Sequence, residues 1–153
     1  MARALPYKNG DVFSIPLRDE KGYAAGLIAG NDGRGIVVGY FFNRRFSVAP
    51  TLSDVSSFGV DEVLFYERFG DLQFLRGGWT VIGQYPIWDP EVWPPLAFGR
   101  RDVGGQCYEV VYSEVAAIER GQQEVSRARF DSIPRNGLSD AGAVELILDH
   151  RLP

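Results

Sequence analysis

From Gly77 to Phe98 the chain reads Gly-Gly-Trp-Thr-Val-Ile-Gly-Gln-Tyr-Pro-Ile-Trp-Asp-Pro-Glu-Val-Trp-Pro-Pro-Leu-Ala-Phe, and no other segment limits the fold as much. It holds all three tryptophans, Trp79, Trp88 and Trp93, and four of the nine prolines. Proline fixes φ and removes a backbone donor, so the path after Tyr85 is extended, irregular and stiff. Indole adds large apolar area at low entropic cost, with one N–H that needs a partner when buried. A strand from Trp79 to Gln84 running into a rigid aromatic loop suits a surface held in fixed shape. It does not suit proton transfer, because Asp89 and Glu91 are the only ionisable acids of the segment. Trp79, opening a strand, is expected in the core. Trp88 and Trp93 are either a lid on the core or exposed contact residues.

The surrounding sequence is mostly β in character. Phe13, Ile15 and Leu17 share one face at period two, and Pro16 points to an edge or a strand end. Arg18 to Gly22 is a charged hairpin loop before a second strand, Tyr23 to Ala29. The turn from Gly30 to Gly35 leads into the β-branched and aromatic run Ile36 to Phe42. Thr51 or Ser53 is suited to cap a short helical turn through Ser57. Val63 to Tyr66, Trp79 to Gln84 and Gln106 to Tyr112 complete six strands, while Asp71 to Gly77 fits either a helical turn or a hairpin arm. After residue 138 the spacing becomes helical: Ser139 is the expected N-cap, with Ala143, Leu146, Ile147 and Leu152 on one face. The expected fold is α+β and mainly β: a bent antiparallel sheet of five or six strands, partly barrel-like, with a C-terminal helix.

A length of 153 residues fits one domain, residues 1–153, long enough to bury roughly 68–70% of its unfolded surface. No apolar run approaches the roughly 20 residues that span a bilayer, so no membrane partner is expected. The N-terminus lacks the apolar stretch of a secretory signal, and Cys107 is alone, which together point to a cytoplasmic setting. Residues 1–60 carry seven Lys and Arg against five Asp and Glu; residues 61–153 carry nine against fifteen, for a net charge of −4. Such a balance disfavours phosphate-backbone binding and mildly favours a basic partner.

Little in the chain suggests catalysis. His150 is the sole histidine and falls in the last turn of the expected helix, which excludes multi-histidine metal sites and disfavours Ser-His-Asp or Cys-His chemistry. Cys107 in a strand reads as a buried, inert thiol. The Gly30–Gly35 turn lacks the Gly-Lys-Ser/Thr ending of a phosphate cradle. Asp19-Glu20, Asp61-Glu62 and Asp89-x-Glu91 sit at turns, where solvated carboxylates are normal, and the five-residue recurrence of Glu109, Glu114, Glu119 and Glu124 matches neither a helix nor a strand face. Arg44-Arg45 and Arg100-Arg101 lie beside rings; with few basic neighbours they read as surface arginines packing their stems rather than a nucleic-acid groove. No catalytic residue, metal or cofactor is expected.

Several pieces of the chain, in order, resemble one family. They are Tyr7-Lys8-x-Gly10-Asp11-Val12-Phe13-Ser14-Ile15-Pro16-Leu17, then Gly22-Tyr23-x-x-Gly26, Gly78-Trp79-Thr80-Val81-Ile82-Gly83, Trp93-Pro94-Pro95-x-x-Phe98, and Gly137-Leu138-Ser139 leading to Ala143-Val144-Glu145. In these the chain is similar to the immunity protein 26 family of bacterial polymorphic toxin systems. The resemblance implies a mostly β domain that binds and neutralises a cognate toxin protein encoded beside it, with no catalytic residues to carry over. Its matched positions are largely Gly, Trp and apolar residues that secure the fold, so contacts are expected in Asn43 to Asp61 and Asp89 to Gly105. Trp88 or Trp93 would be the anchor, with Asp89 and Glu91 as an acidic rim. Two other readings stay open. Gly10 to Phe13 with Arg44-Arg45 also resembles small SH3-like barrels that bind RNA, and Trp88 and Trp93 would equally line the groove of a β module for a small ligand or peptide.

Overall fold

The computed structural model describes residues 4–112 and 119–153. Its architecture follows from two strands that are apolar on both faces, β2 (Tyr23–Asn31) and β3 (Ile36–Phe42). A strand with apolar side chains at every position needs cover above and below, so it belongs in the middle of a layered structure. β1 (Asp11–Pro16) pairs antiparallel with β2, β4 (Val63–Gly70) with β3, and β5 (Thr80–Gln84) with the far side of β1, giving the order β4-β3-β2-β1-β5. Pro16 ends β1 beyond Ser14, the last residue paired to β5, where no donor is required. The Gly30–Gly35 region is hairpin chemistry: the side-chain oxygens of Asn31 and Asp32 accept from the N–H groups of Gly33, Arg34 and Ile36. A second antiparallel sheet consists of β6 (Ala97–Arg101), β7 (Cys107–Tyr112) and β8 (Glu119–Glu124), in that order.

One face of the five-stranded sheet gathers Phe13, Ile15, Phe41, Phe65 and Phe69 under the helices. Trp79 joins this face as expected: it is 2% exposed and stacks on Phe13 with ring centroids 5.7 Å apart. Phe13 in turn lies across Gly26, its partner in β2, where a Cβ would stand 2.4 Å from Phe13 Cζ. The glycine is thus the space that the ring fills. The opposite face, with Val12, Leu27, Val38, Tyr40 and Phe42, packs against Trp93, Leu96, Phe98, Val110 and Tyr112. Tyr66 at the β4 edge ties the sheets together, donating its hydroxyl to Ala97 O at 2.7 Å.

Among the described residues, four α-helices close the fold. Asp54 accepts from Thr51 N at 2.8 Å at the start of α1 (Leu52–Val55). The stretch after Asp71 is a helical turn, α2 (Leu72–Arg76), ended by Gly77 in the left-handed region. The buried Asp71 carboxylate accepts the Tyr7 hydroxyl at 2.7 Å, which pins the N-terminal segment on this helix. Ser126 caps α3 (Arg127–Ser132). The C-terminal helix α4 (Ala141–Arg151) is capped by Asp140, which accepts from Ala143 N at 2.7 Å; Ser139 is not the cap. Ser139 instead extends the β4 edge, donating its N–H to Arg68 O, accepting from Gly70 N and donating its hydroxyl to Glu67. That anchor sets the helix phase. Ala141, Val144, Leu148 and Leu152 are buried, whereas Leu146 of the expected face is exposed. With apolar residues on several sides of α4, the sequence pattern alone could not fix its rotation.

The mainly β, antiparallel class with a C-terminal helix stands, but the sheets are not closed into a barrel. Two-sided burial keeps the five-stranded sheet open as a middle layer. β6 and β8 are additional to the six expected strands. β6 follows two prolines and β8 reads Glu-Arg-Gly-Gln-Gln-Glu, so neither carries an apolar alternation. Glu114 of the five-residue recurrence lies outside the described residues.

Two outcomes follow from this packing. Trp79→Ala is expected to cost about 3–5 kcal/mol in chemical denaturation, the range for large aromatic truncations. Its Nε1 has no hydrogen bond of standard geometry; burial pushes nearby Glu145 up, with Arg18 and the indole N–H acting against it. Burial also pushes Glu67 above the usual carboxylate range, against the opposing Ser139 hydroxyl bond. The folded state therefore holds that proton to higher pH than the unfolded chain, and stability is lost as pH rises through this window. Glu67→Gln should raise the unfolding temperature relative to the parent at neutral pH, with the gain vanishing below about pH 4. Thermal unfolding across pH checks it; a gain that persists in acid would contradict it.

Candidate interaction surface

The loop after β5 is rigid because its rings and prolines fix it from below. Asp89 accepts from Glu91 N at 3.0 Å and begins a single 3-10 turn, Pro90–Val92, with proline in the first position, where no donor is needed. Trp93 then turns inward. It is 6% exposed and meets Tyr40, Tyr85 and Trp88 with ring centroids 5.2, 5.6 and 5.8 Å away. The Tyr40 hydroxyl donates to Pro94 O. Burial pushes the Tyr40 and Tyr85 phenols up, which keeps both protonated as donors. Trp88 is half-buried over Gly10, where a Cβ would lie 3.1 Å from Trp88 Cδ1 and φ is +89°. Only glycine meets both conditions there.

A second stretch, distant in sequence, is brought against this loop. Tyr85 donates its hydroxyl to Phe58 O, and the Phe58 ring packs on Phe42 and Phe46. Between the two stretches runs a groove of about 260 Å³, with Ser56, Gly59 and Val60 on one side and Pro86, Ile87 and Val92 on the other. Three of its apolar side chains face solvent: Ile87 is 80% exposed, Val92 64% and Val60 40%. Asp61, Asp89 and Glu91 are exposed beside them. Isolated surface apolar residues need no explanation, whereas here several are gathered around one groove beside exposed carboxylates.

The expected contact residues therefore separate. Asp89 and Glu91 are at the surface, Trp88 is half-buried, and Trp93 packs inward as part of the core beneath them. The structure joins the Asn43–Asp61 stretch to the tryptophan loop, and no residue of 99–105 lines the groove. Val60 and Val92 fall inside the stretches where contacts were expected, Asn43 to Asp61 and Asp89 to Gly105, while Ile87 lies outside both. Their only sequence signal is apolar character in Pro- or Gly-broken segments that follow no period. Arg45 donates to the carbonyls of Lys21 and Pro153, and Arg100 stands 5.3 Å from the Tyr108 ring centroid, which suits arginines that secure the surface. Among the described residues no group of His, Cys, Asp and Glu is gathered as metal ligands, and no helix is long and apolar enough to cross a membrane.

The family model of immunity protein 26 matches residues 8–109. The chain belongs to the immunity protein 26 family. Membership carries an immunity role and, in general, a toxin as partner. The match spans the five-stranded sheet, the tryptophan loop and both sides of the groove; the Gly137–Glu145 resemblance lies beyond it. No curated protein and no solved structure matches the chain. Gly10, Gly26, Trp79 and Trp93 in the matched span all serve packing, as expected for positions that secure the fold of this immunity protein.

Denaturation of three variants should separate scaffold from surface. Trp93→Ala is expected to lose about 3–5 kcal/mol. Tyr85→Phe, which removes the bond joining the two stretches, should lose about 0.5–1.5 kcal/mol. Ile87→Ser should stay within about 0.5 kcal/mol of the parent. An Ile87→Ser loss as large as that of Trp93→Ala would mean that the loop is packed differently.

Proposed function

We propose that this immunity protein neutralises a cognate toxin by direct contact, docking the toxin on the groove between residues 56–60 and 85–92. The observation that supports this most is the trio of exposed apolar residues around one groove, Ile87 and Val92 on the loop braced from beneath by Trp93 and Val60 on the facing stretch. Apolar anchors in the middle of a contact supply most of its energy, and charged margins steer encounter. Asp61, Asp89 and Glu91 give this margin a negative sign, which suits a basic toxin face. A preformed loop also avoids the ordering cost of a flexible one.

Co-expression with the toxin encoded beside this chain tests the proposal. Ile87→Asp and Val92→Asp are each expected to abolish protection while the unfolding temperature stays near that of the parent. The pair Asp61→Lys and Glu91→Lys should slow association and weaken its dependence on salt. Full protection by all of these variants, with the fold intact, would place the interface elsewhere.

A further inference from the structure

Trp93 also lines a second, larger cleft, of about 390 Å³, beneath the Trp88–Leu96 loop. Four rings, from Tyr40, Trp88, Trp93 and Tyr112, contribute to its wall. Among the described residues Glu91 is the one acidic side chain in the lining, no Lys or Arg lines it, and the remainder are Ala, Pro, Leu and Val. The phenol hydroxyls are already engaged. That of Tyr40 donates to Pro94 O, while that of Tyr112 donates to Asn136 Oδ1 at 2.6 Å and accepts from Arg68 at 3.1 Å. What the cleft offers a visitor is therefore ring surface plus one carboxylate.

That combination selects among ligands. An anion would meet the Glu91 carboxylate with no cationic side chain among the described lining residues to offset it, and an apolar group would bury that carboxylate without a counter-charge. A cation satisfies both features, since ring faces attract positive charge and the carboxylate completes the pair. One of the four rings already holds a cation: the Arg68 guanidinium, outside the lining, lies 4.2 Å from the Tyr112 ring centroid, which leaves the indoles and Tyr40 for a visitor. A planar guanidinium suits this site better than an ammonium, because it stacks on an indole and can bond a carboxylate through two N–H groups at once.

We infer that this cleft is a receptor for an arginine side chain presented by the partner protein. The inference rests on the toxin-docking reading for the identity of that partner, but not for the chemistry of the cleft. Arginine would enter beside Trp88, stack on the indoles and pair with Glu91, while the neighbouring groove takes apolar contact.

The test uses the full chain and small probes, followed by the NMR resonances of the three indole N–H groups. N-acetyl-arginine amide should shift Trp88 and Trp93 but leave Trp79, buried on the other face of the sheet, unmoved. The neutral isostere N-acetyl-citrulline amide should bind at least about tenfold more weakly, and Glu91→Gln should weaken the arginine probe by about tenfold without affecting citrulline. Equal binding of the two probes, or no response at Trp88 and Trp93, would overturn the cleft as a cation site. N-acetyl-lysine amide binding as tightly as the arginine probe would overturn the guanidinium assignment. The toxin assay is read separately. Loss of protection in Ile87→Asp with no probe binding overturns the cleft and keeps the groove. Probe binding with full protection by Ile87→Asp and Val92→Asp sinks the groove alone.

Discussion

Two-sided burial of β2 and β3 is the constraint on which everything else depends. These strands place Val37, Phe41 and Ile28 on one face and Leu27, Val38 and Tyr40 on the other, all withdrawn from water. Each fully buried side chain of this size contributes about 1.5–3 kcal/mol relative to exposure, so leaving either face open would forfeit much of the fold's stability. One cover is α2 and α4. The other is the second sheet together with the Trp88–Leu96 loop. The loop is irregular in backbone but takes part in the core, which is why so stiff and aromatic a sequence lies there.

This dual role explains how the loop presents apolar residues without collapsing onto them. Trp93 turns under, held by Tyr40, Tyr85 and Trp88, and the proline-started turn above it leaves Ile87 and Val92 in solvent. The backbone there has few alternatives, because proline and ring packing both remove them. Tyr85 extends the same support to Phe58, so the two sides of the groove are parts of one braced unit.

Charge is distributed to match. Glu109 is held below the usual carboxylate range by the Arg129 guanidinium and the Gln123 amide, and so serves the second sheet. Asp89 and Glu91 remain at the surface beside the groove. Burial raises Asp11 and Glu67, which brace the Lys8 turn and the Ser139 anchor. Carboxylates inside thus have structural partners, and those at the groove face outward.

How much was readable in the sequence depended on whether a local rule applied. Period-two patterning located β1, apolar, β-branched and aromatic runs between turns located β2 to β5 and β7, turn chemistry located the Asn31–Gly35 hairpin, and a tryptophan opening a strand was rightly assigned to the core. Those features depend on residues a few positions apart. β8 has no apolar residue, and its existence depends on pairing with β7. The rotation of α4 depends on where Ser139 attaches to β4, because the helix has apolar residues on several sides. The inward turn of Trp93 depends on Tyr40, fifty-three positions earlier. The sequence by itself determined the strand-forming segments, the stiffness of the tryptophan loop and its acidic margin, since each is a property of neighbouring residues. Only the tertiary structure decided which indole is buried and which side chains meet across the groove, because both depend on contacts between segments that local pattern cannot bring together.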